Sequence, residues 1–127
     1  MKYMMLIYSN ENAWTEGERE RCYGESTELT HELDSRGQFS GAGPLQPVAT
    51  ATSVRVRDGK RLVTDGPFAE TREQLGGYFL IEAKDLNEAI TIAARIPAAR
   101  KGAVEVRPVM ELAGLPKVSR GQLSAVR

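Results

Sequence analysis

The chain has little of what most catalytic centres are built from. Its 127 residues include one cysteine, Cys22, and one histidine, His31. A single cysteine excludes an intrachain disulfide, and one Cys with one His is too few for a zinc site within one subunit. No apolar stretch approaches the roughly 20 residues of a membrane span. The N-terminal apolar run from Met1 to Tyr8 is too short for a secretory leader and lacks a small-residue cleavage site. A reduced, cytoplasmic setting away from membranes is expected. Neither sign of charge is in excess, since 17 basic residues balance 17 acidic ones. Proteins that grip nucleic acid through its phosphates usually carry a basic surplus, so nucleic acid is not expected as a partner. Gly41-Ala42-Gly43-Pro44 has neither the GxGxxG nor the GxxxxGK spacing of nucleotide loops. No cofactor and no metal are indicated.

What is present belongs to one small globular domain, with 41% hydrophobic and 27% charged residues. Tyr3 to Tyr8 is apolar on both alternating sides, as is Tyr78-Phe79-Leu80-Ile81, and both read as strands buried on two faces. Thr15-Glu16-Gly17-Glu18 has the form of a capping box and opens a helix that should stop at Gly37. At about 100° per residue, Cys22, Ser26, Leu29 and Leu33 share one stripe, with Tyr23 and Thr30 beside it. The Ser26 and Thr30 hydroxyls there either bond back to the helix or face a wet pocket. Phe39 to Ala51 holds Gly41, Gly43, Pro44 and Pro47 and reads as irregular or weakly extended. Val54 to Val63 reads as a hairpin turning at Asp58-Gly59. A short helical turn is expected over Ala69 to Leu75. Asp85-Leu86-Asn87-Glu88 caps a second helix with Leu86, Ala89, Ile90 and Ala93 inward, ended by Pro97. Val104 and Val106 alternate in a last strand. Residues 1–112 form the domain, and 113–127 a basic tail suited to a mobile arm or a strap across a partner.

The order strand, helix, hairpin strands, strand, helix, strand predicts an α+β, ferredoxin-like antiparallel sheet with two helices on one face. Two helices cover one face only, while two of the strands are apolar on both. The economical cover for the second face is another copy, so a homodimer with a cleft near its interface is expected.

For chemistry, His31 falls opposite Cys22 among polar residues and should be solvated. Cys22 on the inward stripe reads as a small buried hydrophobe. Without an inward histidine, Ser-His-Asp and Cys-His schemes have no base. The basic residues Arg55, Arg57, Lys60 and Arg61 of the hairpin could draw an anion or guard a strand edge. The segment from Val63 to Tyr78 is unusually polar for a link between strands. Asp65 stands at a strand end, where its carboxylate either caps turn N–H groups or serves as an acid–base group. Pro67 fixes the backbone, Phe68 should anchor it in the core, and Glu70 and Glu73 can share a helical face. Asp65, Glu70 and Glu73 are therefore the candidate catalytic residues. Tyr8, Ser26, Phe68 and Tyr78 are the candidate substrate-binding residues.

The stretch VTDGPFAETREQLGGYFLIEA, with GPLQP before it and AARIPAARKGAVEVRPV after it, closely resembles the YCII-related proteins of the DGPF type, from Lys2 to Val109. The resemblance implies a bacterial protein with a ferredoxin-like fold in a dimeric α/β barrel, from a family whose genes often neighbour those of sigma factors. Smaller relatives include a dehalogenase-like enzyme, for which a histidine–aspartate pair has been proposed. The equivalent positions fall near Ser26 and Ile96, so that pair is absent. Two functions follow as expectations. One is an enzyme acting on a small organic molecule by acid–base chemistry in a dimer-interface cleft, with Asp65 as base. The other is a non-catalytic small-molecule binding or accessory protein serving a sigma factor, with Asp65 structural.

Overall fold

The computed structural model describes residues 1–116. Eight regular elements follow one another as β1 (Lys2–Ser9), α1 (Glu16–Ser35), β2 (Phe39–Pro44), β3 (Thr52–Arg57), β4 (Lys60–Asp65), β5 (Gln74–Glu82), α2 (Leu86–Ala93) and β6 (Ala103–Pro108). Short 3₁₀ turns occupy Glu11–Ala13, Val48–Thr50 and Pro97–Arg100. The main sheet has the antiparallel order β2-β5-β1-β6, while β3 and β4 form a separate two-stranded sheet. This is the ferredoxin-like α+β arrangement, with a hairpin inserted between its second and third strands.

The second strand of that arrangement is β2, not the hairpin. The glycines and Pro44 that suggest an irregular segment are accommodated because β2 is an edge strand, where a missing donor or side chain costs little. A register shift between Phe39 and Gly41 marks the irregularity that the composition foretells.

Alternation in β1 and β5 decides where the core lies. Tyr3, Met5, Phe79 and Ile81 are buried on one face and meet Leu29 and Leu33 of α1 and Ala89, Ile92 and Ala93 of α2. Met5, Leu33, Ile81 and Ile96 are almost wholly enclosed, and each such side chain contributes roughly 1.5–3 kcal/mol by leaving water. On the opposite face Met4, Leu6, Tyr78 and Leu80 are only half-buried. In α2 the expected inward set holds for Ala89 and Ala93, but Leu86 and Ile90 are about half exposed, at 49% and 51%. The helix is turned so that its alanines, which allow close approach, lie with Ile92 toward the core.

Both expected caps form. The Thr15 hydroxyl accepts from the Glu18 N–H at 3.1 Å, and the Glu18 carboxylate accepts from the Thr15 N–H at 3.1 Å. The Asp85 carboxylate accepts from the Glu88 N–H at 2.9 Å. A cap of this kind is worth about 1 kcal/mol.

The hairpin turns at Asp58 and Gly59, with φ of 52° and 74°, the left-handed pair of a type I′ turn. All of its residues are exposed except Ser53, which is half-buried. From Pro67 to Glu73 the backbone is irregular; the helical turn expected there does not form. The Thr71 hydroxyl instead donates to the Glu73 carbonyl at 2.6 Å, and the Gln74 amide donates to the Thr71 carbonyl at 2.6 Å. Phe68, expected in the core, is 79% exposed. No helix among the described residues is long and apolar enough to cross a membrane. The basic tail lies largely outside the described residues.

Candidate functional site

The inward stripe of α1 divides into two halves with different surroundings. Leu29 and Leu33 are buried in the core. One and two turns earlier, Ser26 and Cys22 instead face a cleft of about 680 Å³ between α1, the sheet and the edge strand β2. This explains why so long a helix is so weakly amphipathic: half of its inner face meets a cavity, not a core.

The floor and end wall of the cleft are apolar, from Ile7, Phe79, Phe39, Ala42 and Trp14. Hydroxyls arise from Ser26, Thr27, Thr30 and Tyr23 on α1, while Tyr78 of β5, whose side chain shares the sheet face of Leu6, borders the cleft beside Gly43. The two readings of the stripe hydroxyls each hold for one residue. Thr30 bonds back to the Thr27 carbonyl at 2.6 Å. Ser26 is turned to the Cys22 thiol and the cleft. Burial pushes the Cys22 thiol above its usual range, with the Ser26 hydrogen bond pulling the other way. The thiol therefore stays protonated and weakly nucleophilic at neutral pH. Tyr78 lies against Gly43, where a Cβ would sit 3.3 Å from the ring's Cε1. Glycine on the edge strand thus lets the tyrosine lie flat at the cleft's margin.

The walls are held by polar clamps. Trp14 donates its indole N–H to the Ser9 hydroxyl at 3.0 Å. Above it, the Lys101 Nζ stands 5.1 Å from the ring centroid, a cation–π distance. The same ammonium donates to the Ala13 carbonyl at 2.9 Å and pairs with Glu18 at 2.5 Å. That hydrogen bond from Lys101 is the main reason the Glu18 carboxyl is lowered from 4.5 to about 2, with the Thr15 cap assisting. Two turns further along α1, Arg100 forks onto Glu25 at 2.7 and 3.4 Å and holds that carboxyl below its usual range.

The cleft mouth is tied by Glu11. Its carboxylate accepts from the Val48 N–H at 2.9 Å, and its own N–H donates to the Gln74 side-chain oxygen at 3.0 Å. These bonds join the end of β1, the segment after β2 and the start of β5. Glu11 and Arg19, also at the cleft, were not singled out in the sequence; a carboxylate that ties three separate segments has no local signature.

Of the residues proposed from sequence, Ser26 and Tyr78 line the cleft. Tyr8 is half-buried on β1, and Phe68 is exposed; neither lines it. Asp65, Glu70 and Glu73 are exposed and do not line it within one chain. Asp65 stands at the root of the hairpin opposite Thr52, where the Gly66 N–H donates to the Ala51 carbonyl at 2.7 Å. That root follows directly on Val48–Thr50, the turn bound by Glu11. Asp65 therefore stands next to one segment that Glu11 ties, and Glu73 directly precedes Gln74, the other residue it ties. His31 is exposed, as expected. Among the described residues no cluster of His, Cys, Asp and Glu has the grouping of a metal site.

The YCII-related domain model matches residues 1–113. The chain belongs to the YCII-related family. An uncharacterised protein of Rhizobium meliloti (strain 1021) is 35% identical to this YCII-related chain over 114 residues, covering 86% of the chain and 92% of that relative. Among solved structures it is similar to the 5-chloro-2-hydroxyhydroquinone dehydrochlorinase of Burkholderia phenoliruptrix AC1100, solved in complex with 2,5-dihydroxybenzoquinone. The TM-score is 0.52 at 13% identity, covering 87% of this chain and 94% of that one. A likeness at that identity establishes the shared fold.

Proposed function

We propose that this YCII-related protein is an enzyme that holds a small, partly polar organic molecule in the cleft beneath α1 and acts on it by proton transfer. The observation that carries the reading is the cleft itself, whose apolar floor of Ile7 and Phe79 lies beneath the hydroxyl-bearing residues Ser26 and Tyr23 of α1. Such a lining suits a compact ring or short chain bearing oxygen substituents. The structural neighbour's bound 2,5-dihydroxybenzoquinone is of that kind and supports the choice of class.

In this reading Ser26 and Tyr78 orient the ligand's oxygens. Asp65 removes a proton from a carbon next to a carbonyl, with Glu70 or Glu73 available to return one. The C–H electron pair moves onto the carbonyl oxygen, where a hydroxyl donor stabilises the charge that develops. Phe68 and Tyr8 contribute apolar surface beside the ligand. The working form is a homodimer in the bacterial cytoplasm, with the half-buried faces around Met4, Leu6 and Leu80 covered by the second copy. Residues 113–127 are a tail outside the domain.

A thermal-shift screen of small phenols, quinones and oxo-acids tests the binding step, and Asp65→Asn tests the chemistry. Asp65→Asn should keep the melting temperature within about 2 °C, because the residue is exposed, and lose turnover by 100-fold or more on the scale of a removed general base, on the order of 10²–10⁴. A variant that melts early would instead assign Asp65 to turn capping. A ligand that binds wild type and Asp65→Asn alike with no conversion would favour a sensing or accessory role, such as service to a sigma factor.

A further inference from the structure

The hairpin β3–β4 has two chemically different faces. Its pairing places Val54 opposite Val63, Val56 opposite Arg61 and Thr52 opposite Asp65 on one face. Arg55 opposite Leu62 and Arg57 opposite Lys60 occupy the other. Val54, Val56 and Val63 are 60%, 62% and 54% exposed, so the valine face is uncovered in the single chain. An isolated two-stranded hairpin is at best marginally stable in water, and an uncovered apolar strand invites association. Asp65 belongs to that same valine face, at its root.

The opposite number for this arm lies on the rim of the cleft. Tyr23 and Leu45, both cleft-lining, are 43% and 45% exposed. On α1 the spacing Glu16, Glu20, Tyr23 puts two carboxylates on the stripe that leads to this rim. Glu16 and Glu20 have no ion pair among the described residues, and neither have Arg55, Arg57, Lys60 and Arg61 on the arm. Of the arm's cations only Arg61 lies on the valine face, and Arg19 at the cleft is engaged on the Glu11 carbonyl at 2.9 Å. Arg61 and the valines find their complement in Glu16, Glu20, Tyr23 and Leu45, which is the condition for association between two copies of one chain.

We propose that the β3–β4 arm docks by its valine face on the cleft rim of a second copy, so that Asp65 of each chain serves the cleft of the other. The arm is thus an intersubunit strap, and the site is incomplete in a single chain. This rests on the cleft chemistry above only for what Asp65 does once there; the docking stands apart from it.

The test uses the full chain. Val54→Lys with Val63→Lys should weaken self-association on the order of 100-fold in sedimentation, the scale of losing two buried anchors. The far-UV circular dichroism should be unchanged, because both side chains are exposed in the folded chain. Leu62→Lys, the same change on the basic face, should leave association within about threefold. In a Cys22→Ser background, a chain bearing Asp65→Cys mixed with one bearing Leu45→Cys should form a disulfide-linked heterodimer on mild oxidation. The same mixture with Lys84→Cys, at the start of α2, should not. The valine-face variant should abolish the cross-link. A monomeric wild type at micromolar concentration, undiminished association of the double variant, or equal cross-linking to positions 45 and 84 would each overturn the proposal. None of these readouts needs a substrate, so failed cleft chemistry would show separately, as absent turnover beside an intact cross-link.

Discussion

The body of the molecule and its hairpin arm are built from the same kinds of strand, yet they are held by different means. In the body, Met5, Leu33, Ile81 and Ile96 disappear from solvent behind two helices. In the arm no side chain is buried, and what defines the shape is local: the left-handed pair Asp58-Gly59 and one ladder. The body's stability is carried by burial and is internal to the chain. The arm has its conformation written into its turn but its cover missing. A segment can therefore be well specified and still be unfinished until another surface meets it.

The sharpest way to break this contrast is a matched pair of truncations. Ile81→Ala should cost about 2–5 kcal/mol in denaturant unfolding, whereas Leu62→Ala on the arm should stay within about 0.5 kcal/mol. Comparable losses would mean that the arm is packed in the free chain after all. A second pair concerns glycines. At Gly102 a Cβ would lie 1.9 Å from the Tyr8 carbonyl oxygen, so the backbone itself must move. Gly102→Ala should cost about 1–3 kcal/mol of global stability. Gly59→Ala, at φ 74° with open space around it, should cost about 1 kcal/mol felt only within the arm. Hydrogen exchange would then quicken at the Arg55 and Thr64 amides and not at Phe79. Loss of protection at Phe79 would join the two regions into one cooperative unit.

The smallest effect is electrostatic. Glu18 has its carboxyl lowered from 4.5 to about 2, first by Lys101. A depressed carboxylate contributes stability that is full above pH 4.5 and fades as pH falls through about 2. Followed by carbon NMR, Glu18 should titrate near 2 in the wild type and move up toward 4.5 in Lys101→Met. An unmoved Glu18 in the variant would assign the shift to the Thr15 cap alone.

Much of the body was legible from residues alone. Runs that are apolar on both sides marked β1 and β5, and the boxes opened by Thr15 and Asp85 placed the starts of both helices to within a residue, although α2 ends at Ala93, short of Pro97. These signals are local, and tertiary contacts reinforce them. β2 was not legible, because glycines and prolines argue against a strand unless its edge position is known. The orientation of α2 was missed for a related cause: Ile90 and Ile92 are equally apolar, and which one turns inward depends on the sheet beneath.

Within the site, Ser26 was singled out because a hydroxyl on an inward stripe is anomalous, and Tyr78 because it brings a hydroxyl from an apolar strand. Phe68 shows the limit of such reasoning. Hydrophobicity says that a side chain seeks cover, not which molecule provides it. A sequence pattern therefore cannot separate an anchor for its own core from an anchor for a neighbour. Glu11 was invisible for the opposite reason, since its partners Val48 and Gln74 lie far away in the chain.

Lys101 gathers the Ala13 carbonyl, the Trp14 ring and the Glu18 carboxylate from 88 or fewer residues upstream. Its position near the end of the domain has a kinetic meaning. On a ribosome, α1 can begin to form as soon as it emerges, because its contacts are local. The Trp14 wall of the cleft waits until residue 101 has left the exit tunnel and closed that long loop. A nascent chain arrested before Lys101 should already show helix, yet its tryptophan should remain as quenchable as in an unfolded peptide. The cleft is then among the last features to be made, so an unfinished polypeptide has nowhere to hold a ligand.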